Sequence, residues 1–184
     1  MSTDVQNSKK SRFSVRDMVF TAMFAALIAV CSILSIPIGE VPVTLQTFAV
    51  CLAAAMLGWK RGTLSVLIYI LLGAVGVPVF AGMKGGFGVL AGPTGGYIVG
   101  FLLTALIIGL VADKFGRRLL PLALAMILGV LACYVVGTAW FMIVTKMHLG
   151  ESLMLCVVPF LIPDGVKIAA ALLLANRLEK VVKL

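Results

Sequence analysis

Two ionisable residues stand inside an otherwise apolar run, Val158-Pro159-Phe160-Leu161-Ile162-Pro163-Asp164-Gly165-Val166-Lys167-Ile168-Ala169-Ala170. Their spacing of i, i+3 puts Asp164 and Lys167 on one helix face, close enough to pair. Each costs roughly 2.5–3.5 kcal/mol to place at the centre of a membrane helix. Pairing lowers that cost but leaves bonding capacity over, because a carboxylate accepts several hydrogen bonds and an ammonium has three donors. Such a pair can be an internal salt bridge that fixes packing, an acid–base dyad of a membrane enzyme, or the polar anchor of a ligand site. No nucleophile or metal set accompanies it, and the unused capacity favours the ligand site. Pro159 and Pro163 interrupt the backbone ladder just ahead of the pair. The stable helix is therefore expected to start near Pro163, with Asp164 in a first turn whose dipole favours an anion.

Other polar groups fall where they can converge on that pair. Thr44, Gln46 and Thr47 open one apolar segment, and Tyr97 opens another after Pro93-Thr94-Gly95-Gly96. Tyr97 reads equally as an interfacial aromatic or as a ligand contact. The stretch from Val77 to Gly96 holds seven glycines, among them Gly82, Gly85 and Gly86. Glycine permits positive φ and close approach to a ligand, and Phe80, Phe87, Val89 and Leu90 are too apolar for a solvated linker. We expect a lid or pocket wall here, with Lys84 either solvated or facing an anionic group. Arg16 and Asp17 mark an interface rather than a site.

The elements that must position these residues are membrane helices. Hydrophobic residues make up 62% of the 184-residue chain and charged ones 12%, and mean hydropathy is +1.18. A soluble domain of this size needs far more polar surface. A membrane-spanning helix takes about 20 apolar residues. Six spans are expected, at 15–36, 44–59, 62–78, 93–112, 119–145 and across 152–181. The second and third are short and joined by a tight turn at Trp59-Lys60-Arg61-Gly62. Residues 1–12 read as a flexible polar tail and 13–184 as one transmembrane domain. The first apolar run is too long for a signal-peptide core and lacks a small-residue cleavage site.

Basic residues then set the orientation. Lys9, Lys10, Arg12, Arg16, Lys60, Arg61, Lys114, Arg117, Arg118, Arg177, Lys180 and Lys183 fall on one side of this arrangement, against Lys84 and Lys146 on the other. The positive-inside rule makes that side, and both termini, cytoplasmic. The same distribution accounts for the net charge of +8 without nucleic acid. The cysteines Cys31, Cys51, Cys133 and Cys156 lie in apolar stretches, without metal-ligand spacing, and read as small buried hydrophobes. Small residues recur four apart at Ala22/Ala26, Ala25/Ala29 and Gly92/Gly96/Gly100. These faces permit close helix approach, either within the chain or to a separate membrane subunit. No Gly-x4-Gly-Lys-Ser/Thr phosphate loop, zinc motif or dinucleotide fingerprint occurs, so neither a cofactor nor ATP hydrolysis is expected of this chain. A ligand site without an energy source implies partners that supply the energy.

Four motifs now carry a specific resemblance. Val41-Pro42-Val43-Thr44-Leu45-Gln46-Thr47-Phe48, Gly73-Ala74-Val75-Gly76-Val77-Pro78-Val79-Phe80, Gly92-Pro93-Thr94-Gly95-Gly96-Tyr97 and Pro163-Asp164-x2-Lys167 together resemble the BioY family. These are the biotin-binding S-components of energy-coupling-factor (ECF) transporters. The resemblance implies an all-α, six-helix S-component bundle with cytoplasmic termini in the bacterial plasma membrane. It implies biotin held near the outer face under a loop cap by Asp164, Lys167, Gln46, Thr44, Tyr97, Lys84, Gly82, Gly85 and Gly86. It also implies a transmembrane coupling subunit and two ATP-binding subunits, docked through Ala22, Ala25, Ala26 and Ala29. In one respect the chain departs from the family pattern. A glycine often precedes the aspartate of the last motif; here Pro163 precedes it and Gly165 follows.

Overall fold

A computed structural model describes residues 14–37 and 41–181. The expected tail at 1–12, with Lys9, Lys10 and Arg12, lies outside the described residues, as do positions 38–40 and Lys183. The chain runs α1 (Val15–Ile33), β1 (Ser35–Ile36), β2 (Val43–Thr44), α2 (Gln46–Ala74), α3 (Phe87–Ala91), α4 (Gly95–Phe115), α5 (Leu119–Thr145), α6 (Leu149–Cys156) and α7 (Val158–Val181). Five stretches are long and apolar enough to cross a membrane: Val15–Ile33, Gln46–Ala74, Gly95–Phe115, Leu119–Thr145 and Leu149–Glu179.

The expected sixth span is hidden inside α2. Gly58 has φ 75° and ψ −176°, a conformation essentially confined to glycine. A Cβ on Gly62 would stand 2.8 Å from the Ala54 Cα, although eight residues of straight helix span about 12 Å. The helix therefore folds back on itself at Gly58. Ala54 and Gly62 lie four residues either side of that corner, and Gln46 and Tyr69 lie a similar distance from it near the far end. Two antiparallel arms, 46–57 and 59–74, result. The corner is at Gly58, just before the expected Trp59–Gly62 turn, because only glycine accepts that backbone.

The end of α4 stabilises the corner from outside. A carboxylate oxygen of Asp113 accepts a hydrogen bond from the Trp59 N–H at 3.2 Å, at the positive N-terminal end of the second arm. Arg117 donates through Nε to the Ala55 carbonyl at 2.9 Å and through Nη2 to the Met56 carbonyl, at the negative C-terminal end of the first. One five-residue stretch thus caps both free helix ends with the charge that each dipole favours. Arg117 also lies 3.8 Å from Glu179 of α7. Asp17 of α1 pairs with Arg61 at 2.7 Å. These contacts collect the α2 corner, the α4–α5 turn, the start of α1 and the end of α7 at one end of the bundle.

The arm 46–57 is the centre of the molecule. Its Ala49, Val50, Cys51, Ala53, Ala54 and Ala55 are fully buried, enclosed by α1, the second arm, α4 and α7. In lipid the packing drive comes from close contact rather than from expulsion of water, which favours small interface residues. The alanine run supplies them. Gly96 and Gly100 do the same for α4: a Cβ on either would collide with Trp140 or Cys133 of α5. Large apolar side chains such as Leu120, Val135, Ile143 and Ile162 point outward, onto the lipid-facing surface.

The last helix starts earlier than expected. α7 begins at Val158, and Pro163 lies inside it. Pro159 falls in the first turn, where backbone N–H groups have no intrahelical partner anyway. Pro163 removes the bond to the Pro159 carbonyl and its ring crowds that carbonyl, a local cost that the helix carries within its second turn. Asp164 is accordingly in the second turn, and it is held by side chains rather than by a helix terminus.

Candidate functional site

A cavity of about 370 Å³ opens between the β1–β2 hairpin, both arms of α2, the glycine-rich loop and helices α4, α5 and α7. The loop enters it as a packed wall. Phe80 is buried and meets the Tyr69 ring edge-on, with centroids 5.5 Å apart and planes at 81°. The Phe80 N–H donates to the Lys84 carbonyl at 3.0 Å, and the Gly86 N–H donates to the Gly73 carbonyl at 2.7 Å. The loop is thereby tied to the end of α2. Gly88, Val89 and Gly92 continue the wall toward α4.

The expected pair lies at the inner wall. Lys167 Nζ donates to Asp164 Oδ1 at 2.7 Å, and the Tyr134 hydroxyl donates to Asp164 Oδ2 at 2.6 Å. Asp164 is 4% exposed and Lys167 8%, and both line the cavity. Each Asp164 oxygen thus holds an internal partner, whereas Lys167 uses one of three donors on the carboxylate. Burial makes the pair costly to break, because either partner alone is an uncompensated charge in a low-dielectric surround. From Asp164 to Arg177 is thirteen residues, or roughly 20 Å of helix. The pair therefore lies in the half of the bundle away from the charged corner.

A second polar set joins α1 to the two arms of α2. Ser32 Oγ donates to Gln46 Oε1 at 3.3 Å and lies 2.9 Å from the Tyr69 hydroxyl. The Gln46 amide nitrogen is buried without a hydrogen-bond partner. Thr44 Oγ1 accepts from the Gln46 backbone N–H at 3.2 Å, which fixes the start of α2. Tyr97 bonds Thr138 Oγ1 at 3.0 Å.

Of the residues singled out from sequence, Asp164, Lys167, Gln46, Thr44, Tyr97 and Lys84 all line this one cavity. Gly82, Gly85 and Gly86 do not. They shape the loop instead. Gly82 and Gly86 have φ of 70° and 98°, and a Cβ on Gly85 would meet the Val77 carbonyl oxygen at 2.6 Å. On α1, Ala22 and Ala26 are exposed, Ala29 is half-buried, and Ala25 is turned into the bundle. Ala25 and Ala29 lie about 60° round the helix from Ala22 and Ala26, enough to turn Ala25 inward, so the outward face belongs to Ala22 and Ala26.

Sequence reasoning missed Tyr134, Tyr69 and Ser32. A signal was present: the chain has three tyrosines, and all three line the cavity. Two of them sit well inside spans rather than at membrane interfaces, where tyrosine is usual. Among the described residues no group of His, Cys, Asp and Glu is placed to hold a metal.

Comparison with known proteins now bears on what this arrangement is. The model of the BioY family matches residues 5–184. The chain belongs to the BioY family. It is 44% identical over 167 residues to the biotin transporter BioY of Thermotoga maritima, covering 90% of this chain and 97% of that one. It is 42% identical over 164 residues to the probable biotin transporter BioY of Pyrococcus horikoshii, covering 89% and 96%. Among solved structures it resembles, at a TM-score of 0.85 and 30% identity, the S-component for biotin from an ECF-type ABC transporter. That likeness covers 90% of this chain and 92% of the other. The all-α S-component bundle expected from the BioY motifs is thus the fold of this multi-pass membrane protein.

Proposed function

We propose that this BioY chain is the biotin-binding S-component of an ECF-type vitamin transporter, capturing biotin at the outer membrane face for import. The observation that carries the reading is the cavity itself. It is a largely apolar chamber of about 370 Å³ with a buried ammonium and a buried amide at separate places on its wall. Biotin has matching chemistry: an apolar thioether ring and chain between a ureido carbonyl and a carboxylate. Relatives named as biotin transporters and the biotin S-component structure support the ligand.

The topology follows from charge. The charged corner near Gly58, the Arg117 turn and the end of α7 share one face, and an excess of Lys and Arg marks a cytoplasmic face. Both termini then lie in the cytoplasm, and the cavity opens toward the outside of the bacterial plasma membrane. The chain binds and releases its ligand without covalent chemistry, since the Asp164 carboxylate is already committed to Lys167 and Tyr134. No phosphate-binding loop is encoded, so the energy comes from partners: a transmembrane coupling subunit, seated in lipid against Ala22 and Ala26, and two ATP-binding subunits.

Equilibrium binding of radiolabelled biotin to the detergent-purified chain tests the ligand. Saturable binding to wild type, lost in Asp164→Asn and Lys167→Leu, is the expected result. Absence of wild-type binding, or full binding by both variants, rules the reading out; tighter binding of another vitamin reassigns the S-component. Uptake that depends on co-expressed ATP-binding subunits is expected in cells.

A further inference from the structure

Three cation–aromatic pairs stand at the charged end of the bundle, each on a different helix. Lys60 Nζ lies 5.4 Å from the centre of the Trp59 ring and Lys114 Nζ 5.5 Å from that of Phe115. On α1, Arg16 Cζ lies 5.6 Å from that of Phe20. Each cation has a sequence neighbour that joins helices together. Beside Arg16, Asp17 pairs with Arg61, the neighbour of Lys60; beside Lys114, Asp113 accepts from the Trp59 N–H. The second contact sets Trp59–Lys60 against Lys114–Phe115. A Cβ on Gly109 of α4 would stand 2.4 Å from the Trp59 Cα, so the two pairs form one patch.

The same contacts settle the local charge. The acids at this end among the described residues are Asp17, Asp113 and Glu179, and each already faces a donor of the bundle: Arg61, the Trp59 N–H and Arg117. In the cleft of about 180 Å³ at the corner, Arg61 and Arg117 are balanced by Asp113 and Glu179, so the cleft itself draws no anion. The unbalanced charge lies outside it. Lys60 and Lys114 are exposed and form no ion pair among the described residues. Their rings are exposed too, Trp59 by 37% and Phe115 by 51%. A ring whose body meets acyl chains while its face carries an ammonium puts positive charge at the height of the lipid phosphates.

We infer that Trp59, Lys60, Lys114 and Phe115 form a binding surface for an anionic phospholipid of the inner leaflet. The two ammonium groups donate to its headgroup, and the rings pack against the start of its acyl chains. The surface holds the α2 corner and the end of α4 at one depth in the membrane. It uses no residue of the biotin cavity, and takes from the function proposed above only the cytoplasmic orientation of the charged end.

The test adds phosphatidylglycerol or phosphatidylcholine, with the same acyl chains, to the detergent-purified full chain and follows thermal unfolding. Phosphatidylglycerol should raise the wild-type unfolding temperature saturably by several degrees more than phosphatidylcholine does. Lys60→Gln with Lys114→Gln should abolish that difference, whereas Lys146→Gln, which removes a cation from the other end, should keep it. Trp59→Leu with Phe115→Leu leaves the charge unchanged and should raise the half-saturating phosphatidylglycerol concentration severalfold. No lipid preference in wild type, or a preference kept in the double lysine variant, overturns the inference. An equal loss in Lys146→Gln means diffuse attraction by net charge and overturns it as well. The same shift with glycerol phosphate alone identifies a free-phosphate site and overturns the lipid assignment, and an unchanged half-saturation in the ring variant removes the aromatic part. Labelling of Lys60→Cys from the outside overturns the inner-leaflet placement. Biotin binding by the double lysine variant is expected to equal that of wild type. If wild type fails to bind biotin, the function proposed above falls while the lipid comparison still decides this surface.

Discussion

The chemistry of this protein rests on a few polar side chains held where lipid and apolar residues exclude water. Asp164 and Lys167 neutralise each other at 2.7 Å, and removing one leaves the other as an unpaired buried charge. Lys167→Leu should therefore lower stability by about 3–5 kcal/mol as well as reduce biotin affinity by roughly 30-fold or more. Replacing both, as Asp164→Leu with Lys167→Leu, should recover most of the stability without recovering binding. Thermal unfolding in detergent beside ligand titration separates the two effects. Equal instability of the single and double variants would count against this assignment. Tyr134→Phe is milder. It removes one hydrogen bond to a charged acceptor, about 1.5–3 kcal/mol, and should weaken binding because the Asp164 carboxylate is freer to turn.

At the scale of elements, two devices place those side chains. The first is the α2 hairpin, whose corner needs glycine and whose two helix ends are capped by Asp113 and Arg117. Gly58→Ala forces a side chain into a backbone region costing about 1–3 kcal/mol, and its Cβ would lie 2.2 Å from Asp113 Oδ1. A fall of several degrees in unfolding temperature is expected, larger than for Gly116→Ala, where nothing lies near the added Cβ. The hairpin also places Gln46 and Tyr69 side by side at the cavity end, so a displaced corner should reduce ligand affinity from a distance. The second device is the glycine-rich loop pinned by Phe80. Phe80→Ala empties the space against Gly73 and Tyr69 and should raise the dissociation rate of biotin more than it changes the association rate, as measured by release of labelled ligand. An unchanged dissociation rate would mean that the loop does not retain the ligand.

For the molecule as a whole, the polar cavity and the charged corner occupy opposite ends of the bundle, joined by α2 and α7. An outward face of small residues on α1 is left free at Ala22 and Ala26. Ala22→Leu with Ala26→Leu should leave biotin binding by the isolated chain intact, while ATP-dependent uptake with the partner subunits falls severalfold. Reduced binding in the isolated chain would instead assign these alanines to internal packing. Single cysteines introduced at Lys60 and at Lys84, in a background lacking the four native cysteines, should label from the cytoplasm and from the outside respectively.

Much of this was legible in the amino-acid order, for reasons of solvent. Lipid demands long apolar helices and penalises every buried charge, so the spans and the Asp164–Lys167 pair stand out against a uniform background. The convergence of Thr44, Gln46, Tyr97 and Lys84 on that pair also followed from topology, because their segments begin or turn at the same end of the bundle. What only the tertiary structure decided was contact between elements distant in sequence. Nothing local to Tyr134 says that it meets Asp164, thirty positions on, or that Ser32 backs Gln46 from another helix. Pro163 looked like a helix start, yet α7 begins at Val158 and runs through it, because packing around the helix decides whether one lost backbone bond ends it. The same limit hid the direction of Ala25, which a one-residue rotation of about 100° separates from Ala26. Periodicity names the faces of a helix, but only packing chooses which of them meets a neighbour.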